Sequence, residues 1–235
     1  MKSIYEVIER RRQAYDKHAF IEFLRDDSLT SEHRLSYAPF SSYFVLCFAE
    51  FNRNFLRDDD ATSPEQDMVN RHADEDSTHF AWFFHDMKVL GYDFECTFTD
   101  VLRFLWTDLG KEAREMSYYV ISVARDADAD LRLVIIEAVE AMGNVWLTAT
   151  VQAARNHPEA DRLVYFGAHH LERETGHAIG SAQEEVLKTV LSPQTRARAE
   201  AIVHGLFDRM EAFNTELLRR VGNAAGGDPA KMLTH

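Results

Sequence analysis

The sequence predicts an all-α fold, one bundle of about seven helices, and three observations carry that reading. Apolar residues recur at helical spacing through long segments. Glycine (10) and proline (5) are scarce and fall between those segments. Neither an internal repeat nor a linker interrupts the chain, so the segments belong to a single domain.

Taken in order, the first helix is expected from about Ser3 to Leu24, closed by the polar stretch RDDSLTSEHR. A second covers PFSSYFVLCFAEFNRNFL. A third opens at TSPE, where Ser63 can cap the first free N–H groups and Pro64 suits the first helical position, and it continues to Leu90 before Gly91. Two shorter helical pieces flank Gly110. The run DADADLRLVIIEAVEAMGNVWLTATVQAARNHP reads as a long fifth helix that stops before Pro158. The next is DRLVYFGAHHLERETGHAIGSAQEEVLKTVL, and a last helix runs to Val221. Residues 1–222 make up the helical domain, and a tail over 223–235, rich in Gly and Ala, is expected to fray.

At 235 residues the chain can bury a substantial core, and its 46% apolar and 28% charged content is ordinary for a globular protein. Acidic residues (39) outnumber basic ones (26), the net charge is -13, and Lys and Arg form no long block. That balance argues against nucleic acid and anionic membranes as partners. The start, MKSIYEVIERRRQAYDKHAF, scatters charge through an apolar rhythm, unlike a signal peptide. No uninterrupted apolar run is long enough to span a bilayer. Cys47 and Cys96 stand in unrelated contexts, so neither a disulfide framework nor a zinc ribbon is expected. These features fit a cytoplasmic protein that takes a small-molecule substrate, and a bundle of this size is compatible with a homodimer.

The chemistry is concentrated in YFGAHHLERETGH. His170, Glu174 and His177, spaced H-x3-E-x2-H, share one helical face, which Leu163 and Phe166 continue on one side and Ser181 on the other. Ionisable groups on an inward stripe are costly unless paired or bound to metal. A second cluster lies in NRHADEDSTHFAWFF, where His72, Glu75 and His79 again fall on one face. Glu75 and His79 are expected to point inward, with Asp74 and Asp76 off the stripe. A third contribution is expected from LVIIEAVEAMGNVW, where Glu137 and Glu140 are carboxylates in an apolar run. Glu140 is favoured because it shares a face with Leu133, Ile136, Leu147 and Val151. Carboxylates and imidazoles projected inward from several helices suit iron or manganese.

The Glu and His on an early helix, the lone mid-chain Glu and the late H-x3-[DE]-x2-H motif resemble the heme-oxygenase-like di-iron oxidases and oxygenases. The resemblance implies a seven-helix fold and a set of three histidines and three carboxylates. Its late motif falls on His170, Glu174 and His177, its mid-chain glutamate on Glu137 or Glu140, and its early pair on Glu75 and His79, with His72 as a ligand or neighbouring partner. The chemistry it implies is O2 activation by two ferrous ions, with manganese as the other suitable metal. The outcome would be N-oxygenation, oxidative C–C cleavage or desaturation of a small organic substrate. Trp82, Phe83, Trp146, Tyr165 and Phe166 are candidates to line a pocket, although aromatic residues at helical spacing usually fill a core.

Two alternatives share the fold. A heme-binding relative would need an axial histidine on the first helix, where His18 stands near Arg10 to Arg12 and Lys17. A cofactor-independent enzyme of the thiaminase-II or pyrroloquinoline-quinone-synthase type would, in the thiaminase case, need an activated cysteine. Glu50 is expected in an ion pair with Arg53 or Arg57, and His33, His85 and His204 are read as ordinary packed histidines.

Overall fold

The computed structural model describes residues 1–106, 108–175 and 190–224, with side chains for all of these but 109, 174–175 and 222–224. The described residues form an all-α bundle with no strands and nine helices of eight residues or more, a little above the expected seven. In chain order the elements are α1 (Lys2–Tyr15), α2 (Ala19–Arg25), α3 (Ser31–Leu35), α4 (Ser42–Phe51), α5 (Pro64–Asp76) and α6 (Phe80–Val89). They continue with α7 (Phe98–Trp106), α8 (Lys111–Arg125), α9 (Ala129–Ala154), α10 (Ala168–Thr175) and α11 (Pro193–Ala224).

The extra elements come from breaks inside expected helices, each with a local cause. The segment expected from Ser3 to Leu24 divides into α1 and α2 because the His18 side chain accepts the Phe20 N–H and starts a new helix. Ser63 caps α5 by accepting from the Gln66 N–H, with Pro64 just inside, as its sequence signals required. The helix expected from there to Leu90 breaks at Ser77–His79, so α5 ends at Asp76 and α6 starts with His79 as its N-cap. Gly91, at φ 80, closes α6 in the left-handed region that side chains disfavour. Leu163 and Phe166 are buried but not helical, since only a short 3-10 turn (Ala160–Arg162) and bends precede α10. A π-helical turn, Asn52–Leu56, follows α4.

At the centre stands α9, held at its start by Asp128 accepting from Leu131 N–H. It packs against α1, α2, α3, α5, α8, α10 and α11. That encirclement explains its composition. A helix surrounded by others is apolar all round, and α9 is long and apolar enough to cross a membrane by length and composition alone, as a buried core helix also is. The apolar run is not uninterrupted, since Glu137 and Glu140 fall within it, and its apolar character goes with its place in the core. The polar residues that interrupt it, Glu137 and Glu140, are therefore placed where they need partners.

Candidate metal centre

Three ligand atoms converge between α5 and α9. One ligand atom each from His72, Asp76 and Glu140 lies within 4.8 Å of the other two. His72 Nε2 stands 3.0 Å from Asp76 Oδ2 and 3.5 Å from Glu140 Oε1. His72 and Asp76 are one helical turn apart and both buried, and Glu140 is half-buried across the gap on α9. The turn after α5 swings His79 back toward the same point, with Nδ1 3.9 Å from Asp76 Oδ1. A fourth element, α10, adds His170, whose ring lies 4.8 Å from that of His79, centroid to centroid.

The orientation of α5 corrects one expectation. Glu75 is exposed and Asp76, expected off the stripe, is buried at the cluster. The physical reason is the break at Ser77–His79: a continuous helix would align positions 72, 75 and 79, whereas the break frees His79 from that register and α5 alone sets which carboxylate faces inward. With Asp76 the early motif reads H-x3-D-x2-H, the same spacing as His170, Glu174 and His177. That repeat was the available signal for Asp76. The structure brings together His72, His79, Glu140 and His170. The Glu174 side chain and all of His177 lie outside the described residues.

Glu137, one turn before Glu140, faces the Tyr5 hydroxyl from α1. Burial pushes its carboxyl above the usual carboxylate range, against the pull of Tyr5 and the nearby His72. Its Oε1 is buried without a hydrogen-bond partner among the described residues. Both glutamates of α9 thus stand near His72, one in the cluster and one behind it.

His170 is held by a backbone partner. Its Nδ1 lies 2.9 Å from the Tyr165 carbonyl, which can only accept, so Nδ1 carries a proton and donates it in a hydrogen bond. The loop that supplies this carbonyl is fixed in turn by Asp86 of α6, a fully buried carboxylate that accepts the N–H groups of Val164 (2.9 Å) and Phe166 (2.8 Å). Sequence reasoning missed Asp86; its only signal was a lone Asp among the apolar residues of FAWFFHDMKV.

The cluster opens on a cavity of about 80 Å³. Asp76, His79, Glu140 and His170 form its polar wall, and Phe44, Phe48, Trp146, Leu147 and Phe213 are among its apolar ones. Trp82 stacks on His79 at 4.3 Å, and Tyr165 both lines the cavity and packs on His170 at 4.6 Å. Phe166, also named as a pocket candidate, is a core residue, and Phe83, likewise buried, borders a separate cavity with Phe84, Met87 and Tyr92.

The donor set suits a hard divalent cation. Among the described residues, imidazoles and carboxylates converge from α5, α9, α10 and the start of α6, Oε1 of Glu137 is buried without a hydrogen-bond partner, and no thiol lines the cavity. The other sequence candidates are accounted for elsewhere. Both ring nitrogens of His18 are engaged, Nδ1 by Phe20 N–H and Nε2 by Thr215 Oγ1 at 3.1 Å. Cys96 is exposed, and burial pushes the Cys47 thiol up, the opposite of activation. Glu50, expected in an ion pair, is exposed and takes a hydrogen bond from Asn54, because Arg53 reaches the Ser77 carbonyl and Arg57 pairs with Asp59 and Asp74. In comparisons with known proteins, no family model and no curated protein matches the chain.

Proposed function

We propose that this chain is a non-heme, O2-dependent oxidase or oxygenase that holds two metal ions, iron or alternatively manganese, and acts on a small organic substrate. The heme-oxygenase-like di-iron class is the family to which we assign it. The observation that carries the reading is the convergence of His72, Asp76 and Glu140 to within 4.8 Å in a buried position, with His79 and His170 beside them. His72, Asp76 and Glu140 would hold one ion. His79 and His170 would hold the other, joined by Glu174 and His177 as the resemblance assigns. Ferrous ions bound there would supply electrons to O2, and the outcome would be N-oxygenation, oxidative C–C cleavage or desaturation of the substrate.

The protein's own residues have separate tasks. Its cavity walls of Phe44, Phe48, Trp146 and Phe213 exclude bulk water and leave the wall of Asp76, His79, Glu140 and His170 to hold reacting atoms. The Tyr165 carbonyl keeps a His170 proton on Nδ1, so Nε2 is the nitrogen that would ligate. Asp76 and Glu140 bring negative charge that offsets the cations in a region of low dielectric.

The heme and thiol alternatives have less support. His18 has no free ring nitrogen to offer as an axial ligand, and neither cysteine is activated. An anaerobic Fe(II) titration of the metal-free protein, followed by rapid exposure to O2, tests the proposal. Two irons per chain and a transient visible absorption band are the expected result; no bound iron, or iron inert toward O2, would overturn it.

A further inference from the structure

We propose that the outward face of α7 is a two-fold contact between two copies of this chain, centred on Leu102. The inference stands on the surface of the bundle and is independent of the metal-centre reading.

Helix α7, FTDVLRFLW, has an apolar arc wider than the bundle uses. Phe104 is buried, and Val101 and Leu105 beside it are half-buried around a hollow bordered by Leu46 of α4 and Phe83 of α6. Phe98, Leu102 and Trp106, spaced by four, carry the arc on around the helix into solvent, with exposures of 76%, 49% and 66%. A helix on a bundle surface ordinarily sets polar residues there. Two neighbours extend the feature. Apart from Val190, the other most exposed large apolar side chains among the described residues are Phe84 (47%) and Tyr118 (48%), and both flank α7. Phe84 borders the same hollow as Val101 and Leu105, and the Tyr43 ring links Tyr118 to Trp106, 6.3 Å from the first and 6.4 Å from the second. A contiguous apolar patch of this kind marks a contact surface.

Its pattern selects the partner. Leu102 stands at the centre of the stripe with an aromatic residue four positions away on either side. Two copies of α7 crossing antiparallel at Leu102 set Phe98 of one on Trp106 of the other, twice, which is the reciprocal contact an isologous interface requires. Such aromatic pairs gain beyond the area they bury. With a covered aromatic side chain contributing about 150–250 Å², the exposed apolar side chains offer on the order of 600 Å² per copy, most of the roughly 800 Å² that each partner gives to a standard interface.

The electrostatics agree. A net charge of -13 opposes self-association through the acidic parts of the surface, but from Phe98 to Tyr118 four acidic residues stand against three basic ones. Charges at the edge of the patch have partners within the chain. Arg103 pairs with Asp100 at 3.1 Å and Lys111 with Glu115 at 3.6 Å, while the Arg114 guanidinium lies over the Trp106 ring at 5.4 Å. Docking of a second copy therefore strands no charge and leaves these pairs as the polar rim.

The experiment is sedimentation equilibrium of the full-length protein over a wide range of concentration, with circular dichroism to confirm that each variant is folded. Wild-type protein should reach twice the mass of one chain and stop there. Leu102→Glu and Leu102→Lys should each weaken association by more than about a hundredfold, because a two-fold axis sets the new charge against its own copy. Mixed in equal amounts, the two variants should associate with each other, since the same axis then brings opposite charges together. Val190→Glu, at a site 91% exposed outside the patch, should leave the dimer unchanged. A monomer at every concentration, growth beyond the dimer, a dimer indifferent to both Leu102 variants, or no recovery in the mixture would overturn the proposal. Binding of a monomeric wild-type protein to neutral phosphatidylcholine vesicles, lost in Leu102→Glu, would overturn it and assign the face to lipid.

Discussion

The histidines at the two ends of the bundle differ in what their ring nitrogens do. At the α1–α2 corner His18 spends both nitrogens on structure, one on Phe20 N–H and one on Thr215, and on α11 His204 receives Arg11. At the α5–α9–α10 end the Nε2 of His72 faces two carboxylates, and His170 Nδ1 donates a hydrogen bond to the Tyr165 carbonyl. The first arrangement ties the rings to a backbone N–H and to hydroxyl and guanidinium side chains, and the second sets them among carboxylates and beside a carbonyl. Burial alone does not distinguish a ligand from a packed residue; the chemistry of the partners does.

That contrast can be broken most sharply at the cluster itself. His72→Ala or Asp76→Ala should weaken metal binding by more than about a hundredfold with helicity retained, whereas Glu75→Gln should leave it unchanged. Metal titrations with circular dichroism check this, and equal losses for Asp76 and Glu75 would show that α5 presents the other carboxylate. Glu140→Gln should weaken binding more than Glu137→Gln, and the reverse order would exchange their roles.

Asp86→Ala should cost about 3 kcal/mol in denaturant unfolding, because two backbone N–H groups lose a buried charged acceptor, and Asp86→Asn should cost less, because an amide oxygen can still accept. His18→Ala should cost about 1 kcal/mol as a lost cap and leave metal binding intact. The smallest effect concerns acidity. In metal-free protein the Glu137 carboxyl is raised by burial, so the folded chain keeps a proton that the unfolded chain gives up near pH 4.3, about the usual glutamate value. Stability should then fall as pH rises from that value through the folded one, and Glu137→Gln should remove that part of the slope in unfolding measured across pH.

Helical spacing was enough to read an all-α bundle, and the Ser63–Pro64 start and the apolar run of α9 appear where local rules put them. Breaks were harder to read, because Asp16–His18 and Ser77–His79 contain neither Gly nor Pro and depend on side-chain caps and tertiary packing. The candidate site was legible as residue types on shared faces, including His72, His79, Glu140 and His170. Choosing Asp76 over Glu75 required the register of α5 against α9, a property of packing that adjacent acidic residues do not reveal. Asp86 was illegible for a related reason: its partners are backbone groups far along the chain.

The corner at Ser77–His79 also bears on how the chain could tolerate change in length. Within a helix one inserted residue rotates everything beyond it by about 100°. An insertion in α5 between His72 and Asp76 would therefore take the two off their shared face. Because the helix has already ended at Asp76, a residue gained or lost in the corner would disturb His79 and the start of α6 while His72 and Asp76 kept their place. The two halves of this motif are separate in the backbone, so the reach of His79 depends on the corner and the His72–Asp76 pair on α5.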